Sequence, residues 1–479
     1  MKRIKYLFLS ALLMGFSMAA NAQTGTAADV DAVKQLVKNK PADYDKQLKA
    51  YTKANKKNAD NLVAIGRALY EAKDYTNATA FANAAFSAKK NFVPAFNLLG
   101  DIASVSEEDG GKAASYYEQA IHFAPKDPEA YRKYAIVYRT VSMEGSVAKL
   151  EELRSQRPDI PVDALIGHVN YVSQNYTAAM NAYAAESADR MTETDYTEFV
   201  ISGYRCKKYV ETVEAAKTGL KKYPNHVTLI RMAMYCLVED EKYEEALSFG
   251  DKLFGMQGDD VVIAKDYMMY GRSLHGMKRY EEALKNYETG LSMKADDEKV
   301  RNTFYNYMAE SYKAIKDYPK AIEYYQTYLN SQEKPSAIDF AEMGSIYAAY
   351  ASALDGDEKM EYFKKADDWY ADMLNKYPDT SEYVLFRRAR VNAAMDGVNN
   401  EGRALPFCLQ LIEEINKHEN KSKTDITRLD FSYRQLLKNC LETKDYPKAL
   451  EYANKVHEMF PEDEGVNNAI QQLEKVVNK

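Results

Sequence analysis

Apolar and polar positions along this chain repeat with a helical period. Apolar residues recur at three- and four-residue spacing, as at Ile322, Tyr325 and Leu329, with polar residues between them. That spacing places the apolar side chains on one stripe of an α-helix, which is the stripe that packs into a core. No segment stands out by the alternation that is typical of a β-strand. The pattern therefore predicts an all-α chain.

A tyrosine recurs at a nearly fixed period within this pattern. Between Tyr176 and Tyr318 the gaps separating neighbouring members are 33, 34, 37 and 38 residues. Six of the seven members have Ala three residues later, and the segments 316–323 and 444–451 are nearly identical. The seven are Tyr75, Tyr176, Tyr209, Tyr243, Tyr280, Tyr318 and Tyr446. Self-similarity at this period indicates one structural unit repeated along the chain.

Each of these tyrosines predicts the start of a helix. Asp317 and Asp445 stand just before two of them, where Asp accepts hydrogen bonds from the free N–H groups of a new helix. Pro319 and Pro447 follow, and proline is tolerated in the first turn of a helix. Other prolines stand where each such helix should end, since proline cannot continue a helix. These are Pro125, Pro158, Pro224, Pro378 and Pro461. Each unit is therefore a helix, a turn and a second helix.

The repeat resembles the tetratricopeptide repeat (TPR), which has a large residue and Leu-Gly on its first helix and Ala, an aromatic residue, Ala and Pro on its second. The best match comprises Phe96, Leu99, Gly100, Ala113, Tyr117, Ala120 and Pro125. The resemblance covers most of the chain and implies a right-handed α-solenoid of about 11 such units with capping helices at both ends.

The repeat divides the chain into four parts. We expect a signal peptide at 1–22, a leader with capping helices at 23–57, the TPR superhelix at 58–462 and a C-terminal capping helix at 463–479. Extra residues at about 350–362 predict an irregular insertion, either a longer loop or a helix extension. A turn-rich break predicts a degenerate unit at about 383–424.

The first 22 residues have the three parts of a secretory signal. Lys2, Arg3 and Lys5 are the positive region, 7–20 is the apolar region, and 20–22 reads Ala-Asn-Ala, a cleavage site. A membrane anchor is the alternative, but the apolar run is shorter than the roughly 20 residues that span a bilayer. The residue after the cut is Gln23 and not a lipoprotein Cys. We therefore expect a periplasmic protein with no membrane span after cleavage.

Composition and charge exclude several classes of protein. The 479 residues include 64 Lys and Arg against 71 Asp and Glu, a net charge of −7, which argues against a nucleic-acid partner. Hydrophobic residues make up 46% and charged residues 28%, so the chain is neither disordered nor a polytopic membrane protein. The six histidines are dispersed, and no metal, phosphate-binding or nucleophile motif is present. We predict no metal, no cofactor and no enzymatic activity.

The four cysteines fall into two pairs of similar spacing. Cys206 and Cys236 are 30 residues apart, and Cys408 and Cys440 are 32 apart, which places each pair on neighbouring units. In an oxidising compartment they are candidates for two disulfides. The alternative is four buried thiols that act as small apolar fillers.

The resemblance places a partner in the concave groove lined by the first helices. The predicted groove residues are mostly arginines with tyrosines among them: Arg67, Arg132, Arg139, Tyr171, Tyr204, Arg205, Arg231, Tyr235, Arg272, Arg388, Arg434 and Lys438. Lys313 belongs to the same set, and the acidic Glu71, Asp101, Glu239 and Glu310 are fewer. One interpretation is a preference for acidic ligands, because Arg binds carboxylates with two parallel hydrogen bonds. The other is that these arginines pair with carboxylates of neighbouring helices.

Two functions remain open at this stage. The first is a non-enzymatic periplasmic scaffold that binds a segment of another envelope protein in its Arg-rich groove, as part of a transport, secretion or assembly system. The alternative is a glycan- or nutrient-capturing protein of an outer-membrane uptake system, in which tyrosines stack on sugars.

Overall fold

The computed structural model of the protein describes residues 24–106, 108–258, 261–293, 298–396 and 401–478. The predicted signal peptide at 1–22 lies outside the described residues. The described residues form 25 α-helices and one short 3-10 helix, Pro378–Thr380, which confirms the all-α prediction. No helix in this part of the chain combines the length and the apolar character needed to cross a bilayer.

The described helices follow one another in antiparallel pairs, and most of them pack against the next helix along the chain. The first thirteen are α1 Thr24–Asn39, α2 Tyr44–Ala54, α3 Ala59–Glu71, α4 Tyr75–Ala88, α5 Val93–Ser106, α6 Gly110–Phe123, α7 Pro128–Tyr138, α8 Met143–Gln156, α9 Val162–Val172, α10 Tyr176–Ala185, α11 Glu193–Arg205, α12 Tyr209–Lys222 and α13 Val227–Glu239. The other twelve are α14 Tyr243–Phe254, α15 Ala264–Gly276, α16 Tyr280–Ser292, α17 Glu298–Ala314, α18 Tyr318–Asn330, α19 Ala337–Ser352, α20 Gly356–Lys376, α21 Ser381–Asp396, α22 Leu405–Asn416, α23 Lys423–Glu442, α24 Tyr446–Met459 and α25 Glu464–Val477.

The chain divides into two compact units, Met1–Cys236 and Leu237–Lys479. From α3 to α24 the described helices make eleven pairs, in which odd-numbered helices come first and even-numbered helices second. Before them, α1 packs on α3 and contributes Val33 to the same core as Leu62. After them, α25 packs on α24 through Val466 and Leu473.

All seven periodic tyrosines are the first residue of a second helix, as the sequence predicts. Two residues before each tyrosine the backbone is left-handed, with φ between 57° and 65°, as at Lys316. The residue in between donates its N–H to a carbonyl five residues back, as Asp317 does to Tyr312 at 2.9 Å. This is the Schellman ending of a first helix. Asp317 then accepts a hydrogen bond from the N–H of Lys320 and begins the second helix.

The five predicted helix-ending prolines all stand two residues beyond the last residue of a second helix. Pro125 follows α6, which ends at Phe123, and Pro461 follows α24, which ends at Met459. The insertion expected at about 350–362 is a helix extension: α19 runs to Ser352 and α20 begins at Gly356 and is 21 residues long. The degenerate unit contains two helices, α21 and α22, and residues 397–400 between them lie outside the described part.

Candidate partner-binding surface of the first helices

A tyrosine of the second helix lies against a glycine of the first helix in several pairs. A Cβ added to Gly100 would stand 2.5 Å from Cε1 of Tyr117, and one added to Gly271 would stand 2.3 Å from Cε1 of Tyr287. Tyr183 meets Gly167 and Tyr370 meets Gly344 in the same way. Because the glycine leaves room for the ring, the tyrosine hydroxyl can reach polar side chains of the first helices.

The Asp101 cluster (Arg67, Asp101, Tyr117 and Lys133) joins three consecutive first helices, α3, α5 and α7. Tyr117 Oη donates a hydrogen bond to Asp101 Oδ1 at 2.7 Å, and Lys133 Nζ lies 2.8 Å from Oδ2. Arg67 pairs with the same carboxylate. Burial acts to raise the pKa of Asp101, but Lys133 and Arg67 hold that pKa below its usual value. The cluster is a satisfied network, which leaves little of the Arg67 charge for a partner.

The Glu198 cluster (His168, Tyr183 and Glu198) repeats this arrangement on α9 and α11. Tyr183 Oη donates to Glu198 Oε2 at 2.5 Å, and His168 Nδ1 lies 2.9 Å from the same oxygen. Burial and the Glu198 carboxylate raise the pKa of Tyr183. The tyrosine hydroxyl therefore stays protonated and serves as the donor.

The aromatic patch (Tyr171, Tyr204, Arg205 and Tyr235) comes from α9, α11 and α13, and all four residues are in the predicted groove set. The ring of Tyr204 lies 6.1 Å from that of Tyr235, and Tyr171 is close enough to Arg205 for the guanidinium to act on its pKa. Burial, then Glu198, raise the pKa of Tyr171 against the effect of Arg205. Arg205 is exposed and Tyr171 and Tyr204 are half-buried, whereas Tyr235 is buried.

The Arg272 cluster (Glu239, Arg272, Tyr287, Tyr307 and Glu310) lies in the second unit, on α13, α15, α16 and α17. Arg272 Nη1 lies 2.5 Å from Glu239 Oε1, and the guanidinium sits 5.3 Å from the centre of the Tyr307 ring. The rings of Tyr287 and Tyr307 stack at 6.0 Å. The predicted groove residue Arg272 is thus held by a carboxylate of the preceding first helix.

The remaining predicted residues lie in different surroundings. Arg388 bonds both oxygens of Asp367 on α20 at 2.8 Å and stacks over Phe407 on α22, so it faces second helices and does not join the others. Arg132 bonds Glu129 within α7, and Arg139 donates to the carbonyl of Ile136 at the end of that helix. Arg231 is half-buried on α13.

Arg434 and Lys438 line two neighbouring clefts on α23. Arg434 lies between Asp430 at 2.6 Å and Asp463, the N-cap of α25, at 2.7 Å. Asp430, Arg434, Phe460 and Asp463 are among the residues around a cleft of about 470 Å³, and Lys438 lines a second of about 350 Å³. Lys438 is exposed. Five of the ten predicted cations, Arg67, Arg272, Lys313, Arg388 and Arg434, pair with a carboxylate of another helix, as in the second of the two interpretations drawn from the sequence.

All four cysteines are free thiols in the structure, so neither Cys206–Cys236 nor Cys408–Cys440 is bonded. Cys236, Cys408 and Cys440 are buried, and Cys206 is partly exposed beside Thr177. Burial raises the pKa of Cys408 to about 12. Three of the four match the alternative of buried apolar fillers.

One charged group was not expected from the sequence. His418 Nε2 lies 2.8 Å from Glu382 Oε1, 36 residues earlier in the sequence, and His418 Nδ1 lies 3.1 Å from Asp425 Oδ2. Their ligand atoms are close enough to hold a metal ion, but both imidazole nitrogens already face carboxylates, and Arg428 also bonds Glu382 at 2.9 Å. We interpret this group as a set of ion pairs that connects α21 to α23.

Sequence reasoning also missed the roles of the buried tyrosine hydroxyls. The groove set contains first-helix residues only, whereas Tyr117, Tyr183 and Tyr287 belong to second helices. A signal was present: each of these tyrosines follows a first-helix Gly by 16 or 17 residues, with a charged residue or His directly after that Gly. Which side chain that residue binds depends on the neighbouring helix pair.

Comparisons with known proteins bear on the fold. The sequence matches no protein-family model and no curated protein. Its structural neighbours are TPR repeat proteins. The C-terminal part of a TPR repeat-containing protein from Cytophaga hutchinsonii is 19% identical, and the match covers 57% of this chain and 99% of that one with a TM-score of 0.48. A tetratricopeptide repeat protein from Parabacteroides merdae is 16% identical over 52% of this chain and 98% of its own, with a TM-score of 0.33. The MamA protein is 20% identical over 38% and 94%, with a TM-score of 0.31.

Proposed function

We propose that this chain is a non-enzymatic scaffold that binds an extended segment of another protein on the surface of its first helices. The observation that carries the proposal is the aromatic patch, where the half-buried Tyr171 and Tyr204 accompany the exposed Arg205 on α9 and α11, and the buried Tyr235 of α13 lies 6.1 Å from the Tyr204 ring. Tyr and Arg are the residue types that most often supply binding energy at protein interfaces. A row of helix pairs presents such groups at regular intervals, which suits an extended partner.

The location is part of the same proposal. The sequence of residues 1–22 supports export and cleavage before Gln23, which would place the scaffold in the periplasm among envelope transport, secretion or assembly proteins. N-terminal sequencing of the protein recovered from the periplasmic fraction tests this. We expect Gln23 as the first residue, and a full-length chain in the cytoplasmic fraction would contradict the proposed address.

Photo-cross-linking in intact cells tests the binding function. A photoreactive residue at position 205 should form a defined cross-linked product, whereas the same residue at Glu214, an exposed position on α12, should not. In a second arm, the photoreactive group is placed at a residue of the aromatic patch other than Arg205. Arg205→Glu should abolish the product there, and Lys221→Glu, a matched reversal on the exposed side of α12, should leave it unchanged.

Cross-linking at position 205, combined with titration with oligosaccharides, distinguishes a scaffold from a glycan-capturing protein. If position 205 yields no protein product and the protein instead gives heat on titration with oligosaccharides, the scaffold proposal fails and the glycan alternative takes its place. A scaffold should give no heat with oligosaccharides.

A further inference from the structure

The first helices of the last two pairs, α21 and α23, each carry an exposed cation at the same position of the repeat. Arg390 directly follows the buried Ala389 of α21, and Lys438 directly follows the buried Leu437 of α23. Among the described residues, no ion pair and no hydrogen bond involves the side chain of either cation. Both charges are therefore open to another molecule.

In the first unit, this position of the repeat holds opposite charges. Arg67 and Asp101 each directly follow a first-helix glycine, and they form an ion pair although 34 residues separate them in the sequence. Side chains at this position on consecutive first helices can therefore reach each other. On α21 and α23, which also pack on each other, the position instead holds Arg390 and Lys438. Two like charges cannot neutralise each other, so an anion from outside the chain is needed to do so.

Apolar side chains lie beside the two cations. The rings of Phe386 on α21 and Phe431 on α23 are half-buried and meet at 5.6 Å, and the Arg390 guanidinium lies 5.7 Å from the centre of the Phe386 ring. Lys438 lines the cleft of about 350 Å³ on α23 together with Leu441, whose side chain is 41% exposed. We call these five residues the Arg390 surface. It offers positive charge and apolar area side by side.

Positive charge is in excess at this surface. Arg434 lines the same cleft as Lys438 but is paired with Asp430 at 2.6 Å. Among the described residues that line this cleft, Glu442 is the one carboxylate, so Arg390 and Lys438 together outnumber it. Charge complementarity therefore favours an anionic ligand over a cationic one.

We propose that the Arg390 surface binds an extended acidic segment of the partner, with one carboxylate side chain between Arg390 and Lys438 and a neighbouring apolar side chain in the cleft beside Leu441. The inference rests on the proposed scaffold function and names the partner chemistry that the last two helix pairs select. Arg390 can bond both oxygens of a carboxylate, and Lys438 adds a second positive charge. The acidic-ligand preference suggested by the sequence is thereby confined to this surface, since Arg67 and Arg272 are neutralised within the protein.

Binding of a synthetic peptide to the whole protein tests the proposal. The probe is a peptide of repeated Leu-Glu-Gly triplets with both ends blocked, so that its only anions are Glu side chains, and fluorescence anisotropy measures its Kd. Arg390→Gln and Lys438→Gln, both at exposed positions, should each weaken binding about threefold, and the double variant about tenfold. Lys364→Gln, the same loss of charge at an exposed position of α20, should leave the Kd unchanged.

Two control peptides separate this site from general attraction. A peptide with Gln in place of Glu should not bind, and one with Ser in place of Leu should bind about threefold more weakly because it leaves the cleft empty. Equal binding of either control peptide, or equal weakening by Lys364→Gln and Lys438→Gln, would overturn the proposal.

Carbodiimide cross-linking locates the bound carboxylate independently of the measured affinity. The reagent joins a Glu of the probe to a lysine amine only where the two groups touch. Mass spectrometry should find Lys438 as the main cross-linked lysine and no product at Lys364, whereas a product spread over the exposed lysines would contradict the site. Because the scaffold function is tested at Arg205 in the first unit, cross-linking there can succeed while the Arg390 surface fails, so the two failures are distinguishable.

Discussion

Tyr117 on α6 donates a 2.7 Å hydrogen bond to the buried Asp101 on α5, and that carboxylate also holds Arg67 from α3 and Lys133 from α7. One acidic side chain therefore connects four helices, α3, α5, α6 and α7, of three consecutive pairs. The apolar contacts of the helix pairs set their spacing, whereas this network fixes which first-helix side chains stay together at the surface.

Replacing Asp101 should be the most damaging single charge change in the first unit. Asp101→Asn leaves Arg67 and Lys133 without their carboxylate and should lower the free energy of unfolding by about 3 kcal/mol, because an uncompensated charge stays partly buried. Chemical denaturation measures the effect. Glu71→Gln removes an exposed carboxylate from the neighbouring α3 and should change stability little; equal losses in both variants would show that the network is not stabilising.

The fit between Gly271 and Tyr287 predicts an unusual response to alanine. Alanine favours helices over glycine, yet its Cβ at position 271 would stand 2.3 Å from the Tyr287 ring, so Gly271→Ala should lower stability by about 2 kcal/mol through overpacking. Gly111→Ala in the first turn of α6 is the control, since its Cβ would meet only Asp109 Oδ1 at 3.4 Å. The control should be neutral or stabilising in the same denaturation assay. A neutral Gly271→Ala would mean that the ring is free to move away.

The left-handed turn residues predict a stabilising substitution. Lys316 has φ of 65°, which is unfavourable for a residue with a Cβ. Lys316→Gly should raise the free energy of unfolding by about 0.5 kcal/mol after the entropy cost of glycine in the unfolded chain. Lys364→Gly, at an exposed position inside α20, should instead lower it by about 1 kcal/mol. The same sign for both variants would contradict the turn geometry.

The ion pairs of His418 predict that the stability of the second unit depends on pH. Hydrogen bonding to Asp425 and the charges of Glu382 and Asp425 raise the pKa of His418 above its ordinary value of 6.5. A group whose pKa is raised on folding stabilises fully below its unfolded pKa, and this stabilisation is lost as pH rises through the folded value. The free energy of unfolding should therefore fall as the pH rises above the ordinary value of 6.5 and through the raised value of the folded state. His418→Gln should remove that slope, and an unchanged slope would assign it to other groups.

Thiol titration tests the state of the cysteines. In the folded protein Cys206 should react with a maleimide, whereas Cys236, Cys408 and Cys440 should react only after unfolding because they are buried. The raised pKa of Cys408 further lowers its reactivity, since the thiolate is the nucleophile. Protein taken directly from cells should give four thiols when unfolded without reductant. Two or none would restore the disulfides expected from the spacing.

Local patterns in the sequence determined the helices and their ends. The Lys-Asp-Tyr-Pro segments at 316–319 and 444–447 contain the end of one helix, the N-cap of the next and its first turn within a few residues. These features act between residues near in sequence, so they can be predicted without the fold. The glycines and prolines were predictable for the same reason, because their backbone limits are intrinsic.

Only the tertiary structure determined which charged side chains of the first helices are paired and which are exposed. Arg67 and Asp101 are 34 residues apart and Glu382 and His418 are 36 apart, so no local pattern shows that they meet. Arg272 and Arg205 look alike in the sequence, yet one is held by Glu239 and the other is exposed. Whether a charged side chain is available to a partner depends on which side chain of the adjacent helix pair lies beside it. The sequence by itself determined the helices, whereas the packing of those helices determined which arginine pairs with a carboxylate and which is exposed.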